Sequence, residues 1–150
     1  MNFLSLYGHE TVKTTLLNML ARDRISNAYV FQGAEGVGKK LCARIFATAL
    51  VCENADGPCG KCPMCIQSKA RTLPDIITVE KDKDKTQIGV DNVREQVIAE
   101  AYIKPRFARR KIFIIEKGDE LNPEAQNALL KVLEEPPSYV TFIICVTNKE

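Results

Sequence analysis

The sequence predicts an α/β domain: a mostly parallel sheet flanked by helices. Three observations lead there. Four short apolar runs alternate with segments of helical spacing, a glycine-rich loop joins the first such run to the next helix, and a cysteine-rich insert interrupts the alternation after that helix. Strand and helix patterns that alternate in this way build a parallel sheet covered on both faces. With 150 residues, of which 45% are hydrophobic and 27% charged, the chain suits one domain with a real core.

Each element has its own signal. Val12, Leu16, Met19 and Leu20 share one face of a helix predicted over 10–22. AYVFQ, 28–32, reads as a buried strand running into the glycine-rich loop. A helix follows over 39–51, with Leu41, Ile45, Ala49 and Leu50 turned inward. DIITVE, 75–80, is a second strand. Val90, Val93, Val97 and Ala101 mark another helix at spacings of three and four. KIFIIE, 111–116, is the third strand. Asn122 reads as an N-cap with Pro123 in the first helical position, opening a helix to Leu133, and Pro136 and Pro137 stop it. VTFIICVT, 140–147, is the fourth strand. Leu129, Leu130, Val132 and Leu133 are more apolar than one helix face requires. Core packing is the simpler explanation, and contact with a neighbouring subunit or DNA is the other.

Composition narrows the functional classes. The net charge of +2 makes no strong case for nucleic acid. Arg106, Arg109, Arg110 and Lys111 form a basic cluster able to touch phosphate, although a solvated loop before a strand is the favoured reading. No apolar run approaches the roughly 20 residues of a membrane span, and the N-terminus lacks the basic start and apolar middle of a signal peptide. A cytoplasmic protein without a membrane partner is expected. The six cysteines are then not a disulfide framework. Cys42 and Cys145, in a helix and a strand, are expected as small buried hydrophobes, and the run EKDKDK at 80–85 as an exposed loop.

GAEGVGKK, 33–40, has the pattern G-x-x-x-x-G-K in Gly33, Gly38 and Lys39, with a strand before it and a helix after. Ala34, Glu35, Gly36 and Val37 complete the loop. Its glycines let successive N–H groups turn toward an anion, the helix N-terminus adds partial positive charge, and Lys39 supplies a full one. A glycine-rich turn without a ligand is the plainer alternative. Lys40 stands where a hydroxyl would hold magnesium, and an ammonium cannot ligate a cation. The other half of such a site belongs at the end of the third strand. There Glu116 can reach a metal, but Lys117 is a poor general base at neutral pH. Asp119 and Glu120 lie past the strand end and are not expected to substitute.

Cys52, Cys59, Cys62 and Cys65 form C-x6-C-x2-C-x2-C, a spacing suited to a four-thiolate structural zinc site. Four protein ligands leave no open position. A redox C-x2-C pair and reduced, metal-free thiols are the alternatives. Zinc binding is expected to fold an insert at about 52–65 that has almost no apolar core of its own.

Taken in order, LYGHETVKTTLLNML, NAYVFQG, the glycine loop, the four-cysteine insert, LPDIITVE, IGVDNVRE, KIFIIEKGDELNPEAQNALLKVLEEPP and FIICVTN strongly resemble the N-terminal ATPase-like module of bacterial DNA polymerase III clamp-loader subunits, of the AAA+ P-loop class. The resemblance covers essentially the whole chain. It is most specific in the cysteine insert and in AQNALLKVLEEPP. The ATP-hydrolysing gamma/tau type of this family looks like it needs Thr at Lys40 and an Asp-Glu pair at Glu116 and Lys117. The chain therefore looks like the delta-prime type. Thr147 and Asn148 match the polar strand end that senses nucleotide in active relatives. The resemblance also implies a Ser-Arg-Cys motif after Asn148, so 1–150 is expected to be the N-terminal domain of a longer protein.

What the resemblance implies is a non-hydrolysing subunit that assembles with other clamp-loader subunits. The complete ring would place the sliding clamp on primed DNA. Zinc is the expected structural ion, ATP or ADP is expected to bind weakly, and magnesium is expected to be held badly if at all. An active gamma/tau-type ATPase and a zinc-dependent nucleic-acid-binding module are the competing readings.

Overall fold

The computed structural model describes residues 10–21, 25–34, 36, 38–54 and 57–147. In chain order these form α1 (Glu10–Ala21), β1 (Ala28–Gly33), α2 (Lys39–Val51), α3 (Pro63–Ala70), β2 (Ile76–Thr78), α4 (Val90–Val93), a π-helical turn (Arg94–Ile98), α5 (Ala99–Ala101), β3 (Lys111–Ile115), a 3-10 turn (Gly118–Glu120), α6 (Pro123–Glu134) and β4 (Val140–Thr147). The four strands make one parallel sheet in the order β1-β4-β3-β2.

The central strands β3 and β4 are covered on both faces, and this explains why β3 reads as an unbroken apolar run. Successive side chains leave a strand on opposite sides. Ile112 and Ile114 accordingly join a core with Leu16 and Leu20 of α1 and the buried side of α2 and α3, while Phe113 and Ile115 join Val93, Val97, Ala101 and the α6 residues Ala125, Leu129 and Val132. β4 divides in the same way: Ile143 and Cys145 face the first core, Val140 and Phe142 the second. Phe113 and Phe142, opposite each other in the ladder, stack with centroids 5.1 Å apart. Burying either ring fully is worth about 1.5–3 kcal/mol.

All four expected strands form at their expected places along the chain, and Asn122 caps α6 as expected, its side chain accepting the Ala125 N–H at 2.8 Å with Pro123 next to it. The structure departs from the sequence reading in five places. α2 is buried on nearly all sides from Cys42 to Val51, and the supposedly inward Leu41 is 41% exposed; periodicity fails because the helix lies in the core rather than on it. The helix read over 90–101 contains the π-turn at its middle. α3 had no counterpart in the sequence reading, although Cys62 and Pro63 form its start and the Cys62 side chain accepts the Cys65 N–H. β1, read as a buried strand, exposes Ala28, Val30 and Gln32 along one face. Finally, Lys111 is not part of a solvated cluster. It is 3% exposed, and its Nζ donates to the carbonyls of Glu100 (2.8 Å) and Ile103 (3.0 Å) and meets Glu100 Oε2 at 3.3 Å. Arg106 and Arg109 are exposed.

In α6, Leu129 and Val132 are buried and Leu130 is exposed, so most of its apolar excess is core. Of the run at 80–85, Lys81 alone is partly buried.

Candidate functional site

The carboxyl ends of β1, β3 and β4 lie side by side, and ligands on open parallel sheets bind at that end. A cleft of about 820 Å³ opens there. Gly36, Gly38, Lys39 and Lys40 form its wall on the loop side; Glu116, Lys117, Asp119 and Glu120 form the wall after β3; Cys145 and Thr147 come from β4. The sequence-predicted residues are therefore brought together. Gly33 closes β1 opposite Thr147, and Ala34 is exposed beyond it. Glu35, Val37 and Asn148 lie outside the described residues.

Two glycines of the loop take the left-handed backbone. Gly36 and Gly38 sit at φ +81° and +89°, and Gly38 is the N-cap of α2. No acidic residue stands in the first turn of α2, so its free N–H groups and positive dipole end are unopposed. Lys39 Nζ donates to the Gly33 carbonyl at 2.5 Å, which draws the amine across the loop.

The opposite wall is acidic as well as basic. Lys117 Nζ lies 3.9 Å from Glu120 Oε1, and Lys81 Nζ binds both Glu120 oxygens at 2.8 and 2.9 Å. Asp119 Oδ2 accepts the Thr147 N–H at 2.7 Å. Asp119 and Glu120 lie past the end of β3, as read from the sequence, yet they line the cleft, because the chain folds back in a 3-10 turn after the strand. Gly118 permits that turn. A Cβ there would come within 2.8 Å of Ile144 Cγ2 and 2.9 Å of the Cys145 carbonyl, so only glycine lets the turn lie against β4. Cys145 is buried, and burial first, then the charge of Glu116, pushes its thiol up to about 11.

The four cysteines of the insert also converge. Their Sγ atoms all lie within 4.8 Å of one another, with Cys52–Cys62 and Cys59–Cys65 each 3.9 Å apart. An ion bonded at about 2.3 Å to four tetrahedral sulfurs sets them about 3.8 Å apart. Backbone N–H groups of Lys61 and Cys62 point at Cys59 Sγ from 3.4 and 3.3 Å, and they lower its thiol to about 6. Those of Asn54 and Cys59 point at Cys52 Sγ from 3.4 Å. The group could hold a metal ion.

A family model described as DNA polymerase III, delta subunit matches residues 8–150. The chain belongs to this family. The DNA polymerase III subunit tau of Bacillus subtilis is 36% identical over 97% of this chain and 26% of its own length. The subunit tau of Escherichia coli is 34% identical over 99% of this chain and 23% of its own. The chain thus spans about a quarter of the length of these relatives. A crystal structure of a DNA polymerase III gamma subunit-related protein from Thermotoga maritima shares the fold, with a TM-score of 0.52 at 21% identity over 89% of this chain and 39% of its own.

In this DNA polymerase III family member, two cavity-lining residues escaped sequence reasoning. Asp119 was set aside as lying past the strand end, yet the pair Asp119-Glu120, beginning four residues after Ile115, was a visible acidic signal. Arg44, in the middle of α2, carried no signal at all: it is 9% exposed, and only the fold places it beside α3 and β2.

Proposed function

We propose that the chain is a clamp-loader module of the delta-prime type, an AAA+ domain that holds nucleotide phosphate weakly and does not cleave it. Assembled with other loader subunits, it would serve the placing of a sliding clamp on primed DNA in the bacterial cytoplasm. The observation that carries this reading is the pair of amines in the cleft. Lys40 follows Lys39 at the start of α2, where an oxygen ligand for magnesium would stand, and Lys117 follows Glu116 where a water-activating acid would stand. Lys117 Nζ lies 3.9 Å from Glu120 Oε1, and an amine in that place offers no carboxylate to take a proton from water. Loss of magnesium removes the charge neutralisation that phosphoryl transfer needs, while the loop N–H groups and Lys39 still recognise an anion.

Zinc is the ion proposed for Cys52, Cys59, Cys62 and Cys65. Bound there, it supplies structural cross-linking and no open coordination position.

A gamma/tau-type ATPase is the second reading. Asp119 and Glu120 favour it, since they bring carboxylates into the cleft, and the relatives above are named tau. Calorimetric titration of ATP with and without magnesium separates the two. Affinity that differs less than threefold between the conditions fits the delta-prime reading. A tenfold or greater gain with magnesium, together with turnover lost in Lys39→Ala within an assembled loader, establishes the other.

A further inference from the structure

A second cavity, of about 230 Å³, opens where α2 and α3 meet the β2 edge of the sheet. Arg44, Ser68, Arg71, Thr78 and Glu80 give it its polar lining. Arg44 is buried, yet among the described residues no carboxylate lies within 4 Å of its guanidinium. It donates instead to two neutral acceptors, Thr78 Oγ1 at 3.2 Å and the Ser68 carbonyl at 3.1 Å. A buried cation with no counter-ion is costly, and evolution seldom retains one without a use. Burial holds its pKa below the ordinary guanidinium range; the charge of Arg71 adds to this, and Glu116 opposes it only in part.

Arg71 is unusual for a different reason. It ends α3 at φ +61°, ψ +34°, a left-handed conformation that glycine adopts freely and a side-chain-bearing residue does not. Its guanidinium makes no hydrogen bond or ion pair among the described residues. The backbone is thus disfavoured, and the side chain it carries faces a second, like charge across the same cavity. Something in the cavity that answers both charges would account for both features.

The hydroxyls fit. Thr48 has one proton and donates it to the Arg44 carbonyl at 2.7 Å, so the 2.6 Å contact between Thr48 and Ser68 is donated by Ser68. Thr78 Oγ1 accepts from Arg44 and keeps its own proton to give. Two guanidinium forks and a hydroxyl donor suit a tetrahedral oxyanion. The volume is below the roughly 300–1,000 Å³ of sites for drug-sized ligands. The Glu80 carboxylate leaves the lining with one net positive charge, which restricts the site to a single small anion. We propose that this cavity binds a small oxyanion of the phosphate class between Arg44 and Arg71, separately from the loop at 33–40.

The test uses the whole chain carrying Lys39→Ala, which weakens the glycine loop, with the Arg71→Gly comparison assigning what binding remains, and inorganic phosphate as the probe, titrated by calorimetry with sodium acetate at equal ionic strength as the control. Saturable binding of phosphate but not acetate is expected. Adding Arg71→Gly should weaken it at least fivefold, while the melting temperature without phosphate stays equal or rises, because glycine suits the left-handed position. Arg44→Gln should weaken binding at least as much; if that variant does not fold, Arg71→Gly decides alone. Absence of saturable phosphate binding in the Lys39→Ala chain overturns the proposal, as does a loss smaller than fivefold in the Arg71→Gly variant or equal binding of acetate.

Discussion

Asp119 holds Thr147 in place: its Oδ2 accepts the Thr147 N–H at 2.7 Å and so ties the turn after β3 to the last residue of β4. Hydrogen bonds to charged acceptors contribute about 1.5–3 kcal/mol when shielded and less when exposed, and this one is exposed. Asp119→Ala should cost about 1 kcal/mol, lowering the melting temperature by about 2–4 °C. Nucleotide affinity should change with it, since both residues line the cleft. A variant with unaltered stability and affinity would leave the contact without consequence.

Gly118→Ala tests the same corner from the backbone side. The added methyl meets Ile144 Cγ2, the Cys145 carbonyl and Val146 Cγ1 at 2.8–2.9 Å. Overpacking of this kind costs about 1–3 kcal/mol, and a urea midpoint within error of the parent chain would contradict it.

Asp75 is fully buried, and its carboxylate accepts three consecutive backbone N–H groups, from Arg106 (2.6 Å), Phe107 (2.7 Å) and Ala108 (2.7 Å). It fixes the loop that leads into β3. Asp75→Ala should destabilise the chain by about 3 kcal/mol. Asp75→Asn should recover only part of that, because an amide turns donors toward donors. Denaturant unfolding of the two variants gives the comparison, and a loss under 1 kcal/mol for alanine would defeat the assignment.

Purified without chelator, the chain should contain one zinc per molecule. Structural zinc contributes about 10–16 kcal/mol in small modules, and here three of the four thiols lie in the main core. Chelation should therefore lower the helical signal and the melting temperature of the whole domain, and zinc should restore both. Elemental analysis of a folded sample with almost no zinc would remove the metal from the account.

Cys145 should be unreactive. With its thiol at about 11, about one molecule in a thousand carries the thiolate at pH 8. Because the folded value is raised, its contribution to stability is fully present below the ordinary thiol range near 9 and is lost as pH rises toward 11. Alkylation followed by peptide mass mapping should label Cys145 last in the native chain; early labelling would show that the cleft opens.

The sequence made the fold legible because its signals are local. Asn122 and Pro123 announce α6, and β3 and β4 are mostly apolar because both of their faces are buried. The cleft was half legible: Lys39 and Lys40 follow from one motif and Glu116 from the strand it ends. What stayed hidden depends on distant partners. Lys111 is buried because Glu100 and two carbonyls receive it, and Arg44 because Ser68 and Thr78 do. Leu41 was misplaced because a helix inside the core has no single wet face to set the period, and the nearness of Asp119 to the cleft went unseen because a tight turn brings the chain back beside β4.

The strand order has a last consequence, for the birth of the molecule. β4 is the final strand in the chain but lies between β1 and β3 in space, pairing Ala28 with Phe142 and Lys111 with Val140. Until it emerges, β1 has no neighbour in the sheet. At synthesis rates of about 5–20 residues per second, that wait lasts roughly 5–20 s, and the early segments must spend it unassembled, within reach of any chaperone that guards the ribosome exit.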